Sequence, residues 1–197
     1  NVDRMFEAAN QQLAFINSLL ELLRLDSGLT QLRLLPTDIN LAVNQSVQTM
    51  KGFAIAKNLE IKVDLQADLP KVSGDIGQIA RIMNNLISNA VKFTNRGGTI
   101  RITTSESRRK GATGVLVVVA DDGIGISDED CEKLFSPFNR GREKGTNGEV
   151  GSGLGLSICK ELMDLHNGTI ELESVQGKGS AFKLWFPSTK TARQAST

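Results

Sequence analysis

The chain of 197 residues carries 23 Lys+Arg against 22 Asp+Glu, a formal charge of +1, and 40% apolar residues, the profile of a folded chain of one or two domains rather than a disordered one. So balanced a charge gives no broad cationic surface for nucleic acid or anionic lipid, and the longest apolar run, Val115 to Ala120, falls far short of the roughly 20 residues that cross a bilayer. The opening residues are polar and mixed in charge, unlike a secretory signal, and Cys131 and Cys159 have no Cys or His partner at metal-ligand spacing, which points to a reduced, intracellular chain.

Along the chain, Met5, Phe6, Ala9, Leu13, Ile16, Leu20 and Leu23 fall at three- and four-residue steps and predict a helix ending at Ser27-Gly28. Leu19, Leu22 and Leu25 crowd the same segment, more leucine than one face of a lone helix hides, so a bundle or dimer arm is expected. Pro36 breaks the chain, and Asp38 to Lys57 reads as a second helix. Ile61, Val63 and Leu65 alternate as in a strand, and Asp75 to Thr94 is the clearest helix. Thr99 to Thr103 and Val115 to Val119 read as strands, the second apolar throughout and hence central. Ser127 with Asp130 resembles a capping box. A helix from Leu154 to His166 is ended by Asn167-Gly168, and strands follow at Ile170 to Val175 and Ala181 to Phe186. With hairpin-length links expected at Gly168 and at Gly177-Lys178-Gly179, these elements predict a two-layer α/β (α+β) sandwich, a mixed sheet with helices on one face, behind a helical arm. The expected division is an arm over 1–35, the α/β domain over 36–187 and a loose polar tail over 188–197.

Four of the 19 glycines precede residue 97 and 15 follow from Gly97 onward, so the second half needs permissive backbone. On the Asp75 to Thr94 helix, Asn85, Asn89 and Lys92 are spaced i, i+4, i+7 and form one polar edge beside the apolar stripe. An amide oxygen there can ligate a hard cation and a lysine can meet phosphate; an ordinary solvated edge fits the same triplet. Asp121-Asp122-Gly123-Ile124-Gly125-Ile126 follows the central strand. A carboxylate at that strand's end can accept from the exocyclic amine of adenine and would face a carbonyl in guanine, a mismatch of roughly 1–3 kcal/mol, while Gly123 and Gly125 would let the backbone pass close to the base; a capped Asp-Gly turn is the plainer reading. Gly151-Ser152-Gly153-Leu154-Gly155-Leu156 opens a helix with the N–H groups and dipole of a phosphate site, yet is neither the dinucleotide fingerprint nor a P-loop. The stretch Asn139 to Val150 ahead of it, rich in glycine and charge, suits a lid or a plain surface loop.

Taken together and in this order, the motifs resemble the catalytic and ATP-binding domain of sensor histidine kinases, in the ATPase superfamily (GHKL, with the Bergerat ATP-binding fold) that includes gyrase, the MutL repair proteins and a heat-shock chaperone. Asn85 to Phe93 resembles its N box, Asp121 to Ile126 its G1 box, Phe135 to Arg140 its F box, Gly151 to Leu156 its G2 box and Gly177 to Phe182 its closing glycine motif. The resemblance implies ATP and Mg2+ as ligands. Asn89 would ligate the Mg2+, Lys92 meet phosphate and Asp121 read adenine. Gly123, Gly125, Gly151, Gly153, Leu154 and Gly155 would form the pocket and lid base, and Arg140 would close over the phosphates.

Asn85 stands where the hydrolytic cousins carry a glutamate base, and a neutral amide cannot take water's proton. Slow hydrolysis is therefore expected, with the γ-phosphoryl left for a protein acceptor. Asp122 stands where many relatives carry asparagine, placing a second carboxylate beside the adenine pocket. The segment ending Leu22-Leu23-Arg24-Leu25-Asp26-Ser27-Gly28 resembles the second helix of the dimerisation and phosphoacceptor hairpin. The acceptor histidine belongs on the first helix of that hairpin, which this sequence does not contain; His166 is explained as a last-turn cation or a packed ring. The implied partners are that histidine, a response-regulator receiver domain and a second copy in the full-length protein, with no nucleic acid and no membrane contact by this segment. A nucleotide-binding signalling module without transfer, and an ATPase that drives conformational change, are the alternatives.

Overall fold

The computed structural model describes residues 2–28, 30–139, 145–146 and 153–189. Helix α1 (Val2–Asp26) leads through β1 (Leu35–Thr37) into α2 (Ile39–Ala56), β2 (Glu60–Leu65), β3 (Val72–Gly74) and α3 (Ile76–Phe93). The long hairpin β4 (Thr99–Arg109) and β5 (Ala112–Asp121) follows, then the single turn α4 (Asp128–Cys131), α5 (Gly155–Leu165), β6 (Thr169–Val175) and β7 (Gly179–Pro187). The main sheet has the order β2-β4-β5-β7-β6. Only β2 and β4 pair in parallel, and β5 lies in the middle as its unbroken apolar run predicts. Ile100, Ile102, Val115, Val117, Val119, Phe182, Leu184 and Phe186 turn to one side of that sheet and are buried. They meet α2, α3 and α5 there, so the predicted mixed sheet with helices on one face is what forms.

Helix α3 is the core's spine. Asp75 caps it by accepting from the N–H groups of Gly77 and Gln78, and Ile79, Ile82, Met83, Leu86 and Ile87 are fully buried. At about 1.5–3 kcal/mol per such side chain, these five fix the helix's rotation and so aim its polar edge. Asn85 and Asn89 therefore emerge at the margin of the core, not on open solvent.

Several elements depart from the sequence-based expectations. β4 and β5 run well beyond Thr103 and start before Val115, because the polar stretch Ser105–Arg109 pairs with 112–116 as the outer half of the hairpin. Pro36 does not merely break the chain: it sits inside β1, a short edge strand paired with β3, where a missing N–H is tolerated. Gly168 is no hairpin link, since it joins α5 to β6 and closes the helix by donating to Met163 O (2.8 Å). Just past β7, Ser188 is buried and its N–H donates to Thr113 O, and the N–H of Thr189 donates to Lys71 O.

The predicted stripe on α1 is the outward one. Leu13, Ile16, Leu20 and Leu23 are 50–58% exposed, while Phe15, Leu19, Leu22 and Leu25 pack on the domain core. Among the described residues no helix is long and apolar enough to cross a membrane.

Candidate active site

Three elements meet at one end of the central strand. β5 ends at Asp121, the last three turns of α3 carry Asn85, Asn89 and Lys92, and α5 begins at Gly155. Asp121 is half-buried, and its carboxylate accepts from the N–H of Gly123 (2.9 Å). Burial pushes its pKa up to about 6, against the opposing pull of the N–H groups of Gly123 and Ser180. A carboxylate held at this cost, at the end of a buried strand, has the character of a recognition group.

The loop after it is braced from three sides. Ile124 N donates to Phe93 O (3.1 Å) at the end of α3, Ile126 N donates to Ser174 Oγ (2.9 Å), and Gly177 N donates to Ile124 O (2.7 Å). Gly125 has φ +65°, and a Cβ there would stand 2.1 Å from Val175 O; one at Gly123 would stand 2.4 Å from Phe93 O. The protein's own backbone therefore already demands glycine at both places, before any base enters. The closing glycine motif does the same from the other side. Gly179 has φ +98°, and a Cβ there would lie 1.9 Å from Asp121 O.

Asp122 does not face the pocket in the way the sequence suggests. Its carboxylate accepts from Thr99 N (2.8 Å) and its own N–H donates to Thr99 O, which pins the start of β4. Its remaining influence on the pocket is a small repulsion that helps raise Asp121.

On α3, Asn89 Nδ2 donates to Asn85 Oδ1 (3.3 Å). That bond uses the amide nitrogen and leaves the oxygen, the hard-cation donor, for another partner. Asn85 also lies under the first turn of α5, where a Cβ on Gly155 would come within 2.5–2.6 Å of its amide. The second glycine motif and the N box thus meet where any larger residue would push the Asn85 amide aside. Leu154 is fully buried and Gly153 takes φ +73°, so the turn into α5 is anchored. Lys92 Nζ lies 4.9 Å from the Phe93 ring centroid. Arg140 and Gly151 fall outside the described residues, as does most of the proposed lid. Of that segment Asn139, Gly145 and Thr146 are described, and Thr146 Oγ1 donates to Lys92 O and Thr94 O.

The sequence reading missed Lys57. It is 5% exposed, and its ammonium donates to Val91 O (2.7 Å) and Lys92 O (2.8 Å). Nothing in its spacing marks it, since a lysine ending a helix is usually solvated. The chain's one histidine is a packed ring and not a last-turn cation. His166 is 1% exposed, Nδ1 donates to Leu162 O (2.7 Å), Nε2 accepts from Asp75 N (3.1 Å), and the ring meets Phe186 edge-on. Desolvation lowers its pKa, which keeps it neutral.

The comparison with known proteins decides the family. Residues 74–190 match the model of the histidine kinase-, DNA gyrase B- and HSP90-like ATPases. The chain belongs to that family. It is 34% identical over 182 residues to the alginate biosynthesis sensor protein KinB of Pseudomonas aeruginosa, covering 92% of this chain and 29% of that protein. With the sensor-like histidine kinase SenX3 of Mycobacterium tuberculosis it shares 32% identity over 185 residues, 94% of this chain and 44% of the relative. The chain thus spans less than half the length of these curated relatives. Full-length ShkA in complex with AMPPNP superposes with a TM-score of 0.80 at 29% identity, over 95% of this chain and 38% of that one. The catalytic domain of histidine kinase ThkA gives 0.67 at 27% identity, over 80% of this chain and 97% of that domain. The fold is that of a histidine kinase catalytic domain, and its family is one of ATP-binding enzymes.

Proposed function

We propose that this chain is the ATP-binding catalytic part of a sensor histidine kinase of a two-component system, working on the cytoplasmic side. It binds Mg-ATP and passes the γ-phosphoryl group to a histidine outside this sequence. The observation that carries the reading is Asp121, a desolvated carboxylate at the end of β5 whose following loop is braced so that its acceptor oxygens stay in place.

In this reading Asp121 accepts from the adenine amine, and Gly123 and Gly125 hold the loop that flanks the base. Lys92 meets phosphate, while Gly151, Gly153, Leu154 and Gly155 present the α5 N-terminus to the phosphates and Arg140 closes over them. Asn89 oxygen ligates Mg2+. Phosphate oxygens would supply its remaining ligands. Mg2+ held there would supply charge neutralisation on the phosphates. Asn85, engaged with Asn89 and packed under Gly155, offers no base to water, which favours transfer over hydrolysis.

The acceptor is not His166, since burial and two hydrogen bonds keep that ring from reaching any nucleotide. It belongs on a hairpin helix that pairs with α1, whose exposed leucine stripe supports such a partner and a homodimer built on it. A response-regulator receiver domain then takes the phosphoryl group onward. The test is to fuse a helix bearing an acceptor histidine ahead of α1 and supply γ-labelled Mg-ATP. Acid-labile label on the added helix, with little free phosphate released, is expected. Tight Mg-ATP binding without label leaves a nucleotide-binding signalling module, and fast phosphate release with no label indicates a conformational ATPase.

A further inference from the structure

An α-helix leaves its last four carbonyls without partners inside the helix, and at the end of α3 these four are met by four separate groups. Ala90 O accepts from Thr94 N and Oγ1 (3.0 and 2.6 Å), and Phe93 O accepts from Ile124 N in the loop after β5. Val91 O accepts from Lys57 Nζ. Lys92 O accepts from Lys57 Nζ, from Thr146 N (3.1 Å) and from Thr146 Oγ1 (3.2 Å). Lys57 is itself the residue that ends α2, its backbone N–H donating to Phe53 O and Ala54 O. Its ammonium is thus buried at the negative end of the α3 dipole, from a backbone that cannot shift without unwinding α2.

We infer that Lys57 is a positioning residue for the phosphate end of the nucleotide site, acting through the final two turns of α3; this rests on the ATP-site reading above. The two ends of the site are built differently. Asp121 is carried by the middle strand of the sheet, and its loop is braced by the β6–β7 turn as well as by Phe93 O at the end of α3, whereas the carbonyls that the Lys57 ammonium holds are those of Val91 and Lys92. Asn89 and Lys92 ride on the helix turns whose carbonyls Lys57 holds. Loosening those turns therefore displaces the cation and phosphate donors more than the base donor, which keeps its strand and its braces from β6 and the β6–β7 turn. A residue that merely stabilised the fold would instead weaken both ends alike.

The distinguishing experiment measures Mg-ATP and adenosine binding to the chain, to Lys57→Met and to Lys57→Arg, at a temperature well below each variant's thermal midpoint. Lys57→Met should lose at least tenfold in Mg-ATP affinity with less than a twofold change for adenosine. Lys57→Arg, which keeps a donor and the charge, should recover most of the loss. If Lys57→Met does not fold, Thr146→Val removes another donor from the same Lys92 carbonyl, and a several-fold loss confined to Mg-ATP is expected. A folded variant with an unchanged ratio of the two affinities overturns the positioning role alone. An unaltered chain that binds neither ligand overturns the ATP-site reading and this role with it.

Discussion

In the proposed reading Asp121 carries the site's specificity, and its protonation makes that testable. Its ordinary carboxyl pKa of 3.8 is raised to about 6, chiefly by desolvation. An acid raised in the folded state adds stability that is full below 3.8 and lost as pH rises through 6, so the ionised group is a standing cost near pH 7. Recognition benefits from the same group: the carboxylate accepts from an adenine amine, and once protonated it also has an O–H to donate to a guanine carbonyl. ATP affinity should therefore fall by roughly 3–10-fold from pH 7.5 to pH 5, and the ATP-to-GTP preference should narrow with it. Calorimetry at pH 7.5, 6 and 5 measures both; a preference that stays constant across that range counts against Asp121 as the base reader. The neighbouring Asp122 is committed to Thr99 N and contributes to the pocket only through its charge.

Among the elements, α3 joins the site to the rest of the fold at both ends. Its last turn is held by Lys57, Thr146 and Ile124, and the N–H of its capping residue, Asp75, donates to His166 Nε2. Because desolvation lowers the pKa of His166 below the ordinary 6.5, the unfolded chain takes up that proton first. The sign is therefore loss of stability as pH falls below 6.5 towards the folded value, opposite to that of Asp121. Thermal melts at pH 7.5 and 5.5 should show a larger acid-induced drop in the unaltered chain than in His166→Gln, even though the variant starts lower. Equal drops would contradict the role. Much of this was legible in the sequence: the period of Ile79 to Ala90 gave α3 to within a residue at each end, and the apolar run Val115 to Val119 placed β5 at the centre. What was hidden follows from tertiary pairing. The polar Ser105–Arg109 becomes strand because 112–116 lies opposite, and Lys57 reads as a solvated helix end until the carbonyls of α3 arrive beside it. The glycines of the loop after Asp121 were visible as a pattern, but the clashes with Phe93 O and Val175 O that require them come from distant parts of the chain.

At the scale of the whole molecule, α1 is apolar on two sides. Phe15, Leu19, Leu22 and Leu25 seat it on the catalytic domain, the Arg81–Glu21 ion pair ties it to α3, and the opposite stripe of Leu13, Ile16, Leu20 and Leu23 is left for other helices. Helix α1 therefore links that outer stripe, through its packing and this ion pair, to the helix that carries Asn85, Asn89 and Lys92. The proposed function requires that site to be an adenine-nucleotide pocket read by one carboxylate. The most direct measurement is a calorimetric titration of Mg-ATP and Mg-GTP into this chain and into Asp121→Asn at pH 7.5. Saturable binding that prefers ATP by about tenfold or more, with the preference lost in the variant, is the predicted result, since one mismatched polar contact is worth roughly 1–3 kcal/mol. Binding that is absent, or equal for the two nucleotides in the unaltered chain, would contradict it.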